Sequence, residues 1–229
     1  MLTKKHILNV PAANLTQVND YFKKHTNIDY PEVPKKYGMA VNNAYDFLIK
    51  DLEILALLQS FEISEIHEDH VLLCNGESFL GEMPGRILKD SKQVLCFVVT
   101  IRNFDDKSHV LTASLENYFL DIWGTAFIEN AERWLKDYIA QELAELTLKR
   151  THVWSPGQHQ FELKNQRCLF NLLAPEEIGV QLAPSMKMNP IKSVSGIMGV
   201  LNQNQTNDLN PCDFCSLHKS CRVSGATCS

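Results

Sequence analysis

Long apolar runs, blocks of one charge and the fingerprints of common catalytic machinery are all scarce in this 229-residue chain. No apolar stretch reaches the roughly eighteen residues needed to span a bilayer. No basic block is present, and the net charge of −5 argues against nucleic acid or an anionic membrane surface as the main partner. The opening Met1-Leu2-Thr3-Lys4-Lys5-His6 is charged but is followed by neither a long apolar core nor a small-residue cleavage site, so a cytoplasmic location is expected. There is no phosphate loop, dinucleotide fingerprint or nucleophile–base pair, so no catalytic residue is assigned and enzymatic activity stays open.

What remains is ordinary for a globular protein: 45% apolar and 21% charged residues, enough chain for a sizeable core. Asn14 is a candidate cap for a helix carrying Leu15, Val18, Tyr21 and Phe22 on one face. Residues 25–38, with Pro31, Pro34 and Gly38, predict a loop. A longer helix is expected over residues 40–61, striped by Ala44, Phe47, Leu48, Ile49, Leu52 and Leu55. Residues 61–67 alternate like a half-buried strand that residues 71–74 could pair, and Ile87 and Leu88 suggest a short helix. Residues 93–101 form an unbroken apolar run, as expected of a strand buried on both faces.

From 105 to 150 the pattern is helical, with a break expected near Trp123-Gly124. Ile128, Ala131, Leu135, Ile139, Leu143 and Leu146 make one apolar face. A helix over 163–173 and short strands at 180–182, 187–188 and 194–198 follow. The element order lacks a regular β-α-β rhythm, so the expected class is α+β. Residues 1–201 are expected to form one such domain, and 202–229 a polar linker and a cysteine-rich tail.

Four of the seven cysteines, Cys212, Cys215, Cys221 and Cys228, fall in the last eighteen residues. A two-residue gap lets both sulfurs of the first pair address one atom, and reduced thiols in that pattern point to a metal site. One tight pair plus two isolated cysteines suits a 4Fe–4S cluster, because zinc sites usually come as two such pairs; zinc is the alternative. His218 could replace Cys228 as the fourth ligand. Lys219 and Arg222 would place positive charge beside the metal.

Cys74, Cys96 and Cys168 stand singly and read as small core residues. His67 and His70, beside Glu65, Glu68 and Asp69, read as a solvated acidic patch rather than a metal site. Ser193, Ser195 and Gly196 would allow close approach of backbone to a ligand or partner, or simply pack a tight turn. Gly157, after Pro156, is first a turn signal.

Roughly residues 75–200 resemble the activation domain of cobalamin-dependent methionine synthase and its small free-standing relatives. The residues that carry the likeness are Ser155-Pro156-Gly157, Gln166, Ile178-Gly179-Val180-Gln181-Leu182, Met188, Pro190 and Lys192-Ser193-Val194-Ser195-Gly196. Val98-Val99-Thr100-Ile101 and Ala126-Phe127-Ile128-Glu129 add to it, and several relatives share a C-terminal cysteine tail. The resemblance implies a C-shaped single domain around a twisted antiparallel sheet with flanking helices. It also implies docking on a corrinoid protein while inactive Co(II) is reduced and remethylated, and a ligand cleft in which Glu129 would meet the ammonium of S-adenosylmethionine.

Val153 stands where the family has an arginine for the ligand's carboxylate, Gln158 where it has a tyrosine, and Arg102 where its strand runs into glycine. The sequence therefore does not favour S-adenosylmethionine held in the family's manner. The expectation is an iron–sulfur accessory protein that docks on a corrinoid protein or cobalamin-dependent methyltransferase. It would draw electrons from a donor such as ferredoxin or flavodoxin. The alternative is a binding module for S-adenosylmethionine or another small ligand with a structural zinc tail.

Overall fold

The computed structural model of the chain describes residues 2–108 and 114–215. The strongest sequence signal sets the architecture. The run Gln93–Ile101 forms strand β5, and its side chains alternate between two cores. Leu95, Phe97, Val99 and Ile101 enter one, while Val94, Cys96 and Val98 enter the other. A strand with no polar face needs cover on both sides, and helices supply it.

β5 lies in a seven-stranded sheet whose described pairings are all antiparallel. The order is β4 (Ser78–Leu80), β3 (His70–Leu73), β2 (Ile54–Ile66), β5, β9 (Ser193–Asn202) and β6 (Leu148–Arg150). The thirteen-residue β2 shares its outer edge between two partners. β1 (His6–Asn9) pairs with Leu55–Leu58, and β3 takes the stretch from Ile63 to Ile66, with a register irregularity between Ile63 and Glu65. This is the expected α+β class.

One face is covered by α1 (Val18–Thr26), α2 (Lys35–Ile49) and α5 (Ser114–Glu145). Trp123 of α5 binds this layer together. Its ring stacks on Phe22 at 3.8 Å and meets Tyr45 and Tyr30 edge-on at 4.8 and 5.1 Å. Its indole N–H donates to the Val41 carbonyl at 3.2 Å. Each such aromatic contact adds about 0.5–1.5 kcal/mol beyond burial, so α1 and α2 are fixed to α5.

The other face is covered by α3 (Glu82–Ile87), α6 (Asn165–Leu173) and the hairpin of β7 (Gln181–Leu182) and β8 (Met188–Asn189). A short α4 (Phe104–Ser108) follows β5. Among the described residues no helix is long and apolar enough to cross a membrane.

Four expectations are corrected. The helix expected over 40–61 is α2 followed by β2, because the run Leu55-Ala56-Leu57-Leu58 is a strand buried on both faces, which periodicity cannot tell from a buried helix. Residues 35–38, expected in a loop, open α2 behind Pro34. The expected break at Trp123-Gly124 is absent, since α5 runs unbroken through it. Gly124 is there for space: a Cβ would collide with Cε2 of the Phe104 ring and lie 2.7 Å from its Cζ and 3.1 Å from Lys192 Cε. The helical pattern also stops before 150, where β6 takes the edge of the sheet.

Candidate functional site

The stretch 202–215, expected as a polar linker and the start of the cysteine-rich tail, packs along α3. Gln205 donates to the Asp90 carbonyl at 2.9 Å. The Asn207 amide donates to the carbonyls of Arg86 and Ile87 at 3.0 and 2.9 Å, satisfying groups that the end of α3 leaves open, and its oxygen accepts from Leu209 N–H. Pro211 is buried, and Leu209 and Phe214 pack against the core on this side of the sheet.

The chain then makes one turn of 3-10 helix, Pro211–Phe214. Asn210 caps it, its side-chain oxygen accepting from Cys212 N–H at 2.9 Å, and Cys215 N–H donates to the Cys212 carbonyl at 3.2 Å. Cys212 and Cys215 thus sit on one turn, both half-buried. Between them Phe214 meets Trp154 edge-on at 5.7 Å, and the Arg86 guanidinium lies 5.1 Å from the Phe214 ring centre. A cavity of about 580 Å³ opens beside this turn, lined by Arg86, Lys89, Asp208, Asp213 and Phe214 among others.

The thiol pair fits half of a four-thiolate site in donor chemistry and spacing. Cys221 and Cys228, with His218, Lys219 and Arg222, lie outside the described residues. Among the described residues no group of three or more His, Cys, Asp or Glu could hold a metal.

The residues expected to line a ligand cleft are spread through the fold. Glu129, on α5, faces α1, and its carboxylate lies 3.1 Å from His25 Nε2. Ser193 donates to the Pro190 carbonyl at 2.7 Å and shares a 2.8 Å hydrogen bond with Thr100. Ser195 points to α6, where it accepts from Gln166 Nε2 at 2.8 Å and donates to Oε1 at 3.0 Å; both residues are buried. Gly196 turns to the α5 side, where a Cβ would lie 2.9 Å from both the Phe97 ring and Val153 Cγ1. Val153 therefore packs against a glycine. Gly157, with φ of +92°, turns a loop closed by its N–H donating to the Phe161 carbonyl at 2.7 Å. None of these five residues lines the described cavities.

A charged seam lies where α5 meets β6, and it includes Glu132 and Lys136, which on the sequence pattern would merely line a solvent face of the helix. Burial raises the Glu132 carboxyl above its ordinary range, opposed chiefly by the nearby Lys136 ammonium, while burial lowers Arg150 and the carboxylates of Asp137 and Glu132 oppose that. Lys136 is itself buried. A cavity of about 450 Å³ opens on the same edge, with Arg150, His152 and Ala144 in its wall.

The single cysteines divide. Burial raises the Cys96 thiol, and burial with help from Glu77 pushes Cys168 up to about 12, so both stay protonated core groups. Cys74 is exposed, against expectation, because it follows β3 into a turn. His67 and His70 stack at 4.4 Å across a hairpin turn, each on its own carboxylate, Glu65 at 2.8 Å and Asp69 at 2.7 Å.

No family model and no curated protein matches the chain. Among solved structures, the fold is similar to a crystal structure of the MetH reactivation domain bound to AdoHcy, with a TM-score of 0.61 and 14% sequence identity, over 89% of this chain and 80% of that one. At that identity the likeness is one of fold.

Proposed function

We propose that the protein is a cytoplasmic accessory factor for the reductive reactivation of a corrinoid protein or cobalamin-dependent methyltransferase. The observation that carries this reading is the likeness of fold to the MetH reactivation domain over 89% of the chain. The four-cysteine tail extends it: Cys212, Cys215, Cys221 and Cys228 would hold a 4Fe–4S cluster. Such a cluster, when bound, supplies one-electron transfer. One electron from a donor such as ferredoxin or flavodoxin reduces one Co(II) to Co(I). The chain's own part is to present Cys212 and Cys215 on a turn fixed to α3 and the sheet, and to offer the helix-covered domain as the docking surface.

The test is iron, sulfide and zinc content of anaerobically purified protein, with a visible spectrum. About four irons per chain and broad absorption near about 400 nm that bleaches on reduction support an electron carrier. Absence of iron under strict anaerobic handling overturns it.

A second reading is a binding module for S-adenosylmethionine or a related ligand with a structural zinc tail, favoured by the AdoHcy bound to the structural neighbour. Against it, Val153 lies against Gly196 where the family's arginine would stand, and Glu129 already faces His25. Calorimetric titration with S-adenosylmethionine and with AdoHcy separates the two readings: heat that saturates favours the second, and none at millimolar ligand removes it.

A further inference from the structure

We propose that Phe214 is the positioning residue of the cysteine tail, and that its clasp by Trp154 and Arg86 fixes Cys212 and Cys215 before any metal arrives. This rests on the metal-tail reading above and names the residues that would make the site work.

The three residues come from distant parts of the chain. Trp154 is buried where the strand segment after β6 bridges Ile197 of β9. Arg86 stands in the last turn of α3, and Phe214 closes the 3-10 turn. The ring therefore spans a sheet residue and a helix residue, and Phe214 is the backbone neighbour of Cys215. Backbone contacts add to this. Asn207 ties the approach to α3 at two carbonyls, and Asn210 sets the conformation of the turn at Cys212.

The physical consequence is preorganisation. A four-ligand site on a free tail must order every ligand when metal binds, and that lost freedom subtracts from affinity. With the first pair already held on one anchored turn, the ordering of Cys212 and Cys215 no longer subtracts from affinity. Groups just outside a metal's ligands typically change its affinity about 10–100-fold.

The experiment uses the full chain, metal-free and reduced under anaerobic conditions, as wild type, Phe214→Ala, Phe214→Tyr and Arg86→Ala. Two quantities are measured. The first is the rate of Cys215 alkylation by iodoacetamide, followed by peptide mass. The second is Co2+ affinity, read from the thiolate-to-cobalt absorption band. Phe214→Ala is expected to speed alkylation and to weaken Co2+ binding roughly 10-fold. Phe214→Tyr should restore both, and Arg86→Ala should shift both in the same direction by less. Because Phe214 is only half-buried, the melting temperature should change little.

A Co2+ affinity that is unchanged in Phe214→Ala overturns the proposal. If the wild type takes no Co2+, while Cys215 alkylation still responds to Phe214→Ala and recovers in Phe214→Tyr, the clasp stands and the metal-tail reading falls. The two failures are thereby distinguishable.

Discussion

The Lys192 ammonium lies 2.7 Å from the Asp121 carboxylate, at the end of a side chain that crosses α5 over Gly124. It also donates to Thr125 at 2.8 Å, and the adjacent Ile191 N–H donates to Asp105 of α4. The turn leading into β9 is thus bound to two helices, and the crossing requires a helix residue with no side chain.

Gly124→Ala should therefore destabilise the protein. Alanine gains about 1 kcal/mol of helix propensity over glycine, but its Cβ would collide with Cε2 and lie 2.7 Å from Cζ of the buried Phe104 ring. Overpacking a filled core costs about 1–3 kcal/mol, so a net loss is expected in urea unfolding. Adding Phe104→Leu should recover part of it; stability equal to or above wild type for Gly124→Ala alone would contradict the packing argument.

The Ser195–Gln166 pair gives a second outcome. Ser195→Ala leaves a buried amide without its partner and should cost about 1–3 kcal/mol. Replacing both residues, Ser195→Ala with Gln166→Leu, should cost less than the single changes added together. Strict additivity in equilibrium unfolding would mean that the two side chains do not depend on each other.

The body cysteines should react in a fixed order. At pH 8 iodoacetamide should label exposed Cys74 in the folded protein and spare Cys96 and Cys168 until unfolding. The pH dependence follows with its sign. The Cys168 pKa is about 12 in the fold against an ordinary 9.0, so above pH 9.0 the unfolded chain releases a proton that the folded one keeps. The contribution is whole below pH 9.0 and is lost as pH rises toward 12. The alkaline fall in unfolding free energy should be shallower in Cys168→Ala than in wild type.

Asn207→Ala should act locally. It removes two side-chain donations to the end of α3 and the acceptor for Leu209 N–H. Partly exposed hydrogen bonds contribute about 0.5–1.5 kcal/mol each, so the strap formed by residues 202–215 should open while the sheet persists. Faster hydrogen exchange at the Leu209 amide with little change in melting temperature is the expected pattern. Unchanged exchange there would show that Leu209, Pro211 and Phe214 hold the strap unaided.

Legibility in the sequence followed the range of each interaction. β5 was readable to the residue, because a nine-residue apolar run carries its own signal. The face of α5 from Ile128 to Leu143 was readable because its period is local. The boundary between α2 and β2 was not, since Leu55 to Leu58 would suit a buried helix as well as a strand. Gly124 looked like a helix breaker because the Phe104 ring and Lys192 side chain that need its space come from elsewhere in the chain.

At the candidate site the cysteine spacing was visible, and so was the Ser195 motif. The partners were not: His25 of Glu129, Gln166 of Ser195, and Trp154 and Arg86 of Phe214 are all set by sheet order and helix placement. The charged seam of Glu132, Lys136 and Arg150 read as a solvent face for the same reason, because Arg150 reaches it from β6, outside α5.

The place of β9 in the sheet also bears on how the protein is made. It is the last of the described strands to leave the ribosome, yet it lies between β5 and β6. Until residue 202 has emerged, β6 lacks its strand partner and the apolar β5 presents a bare row of amides and carbonyls, the template on which chains aggregate. Pairing Gln93 with Val200 closes a loop of more than a hundred residues, a slow kind of contact. The nascent chain therefore carries an open edge until β9 is delivered, and a chain cut short of Ser193 would keep that exposed edge permanently.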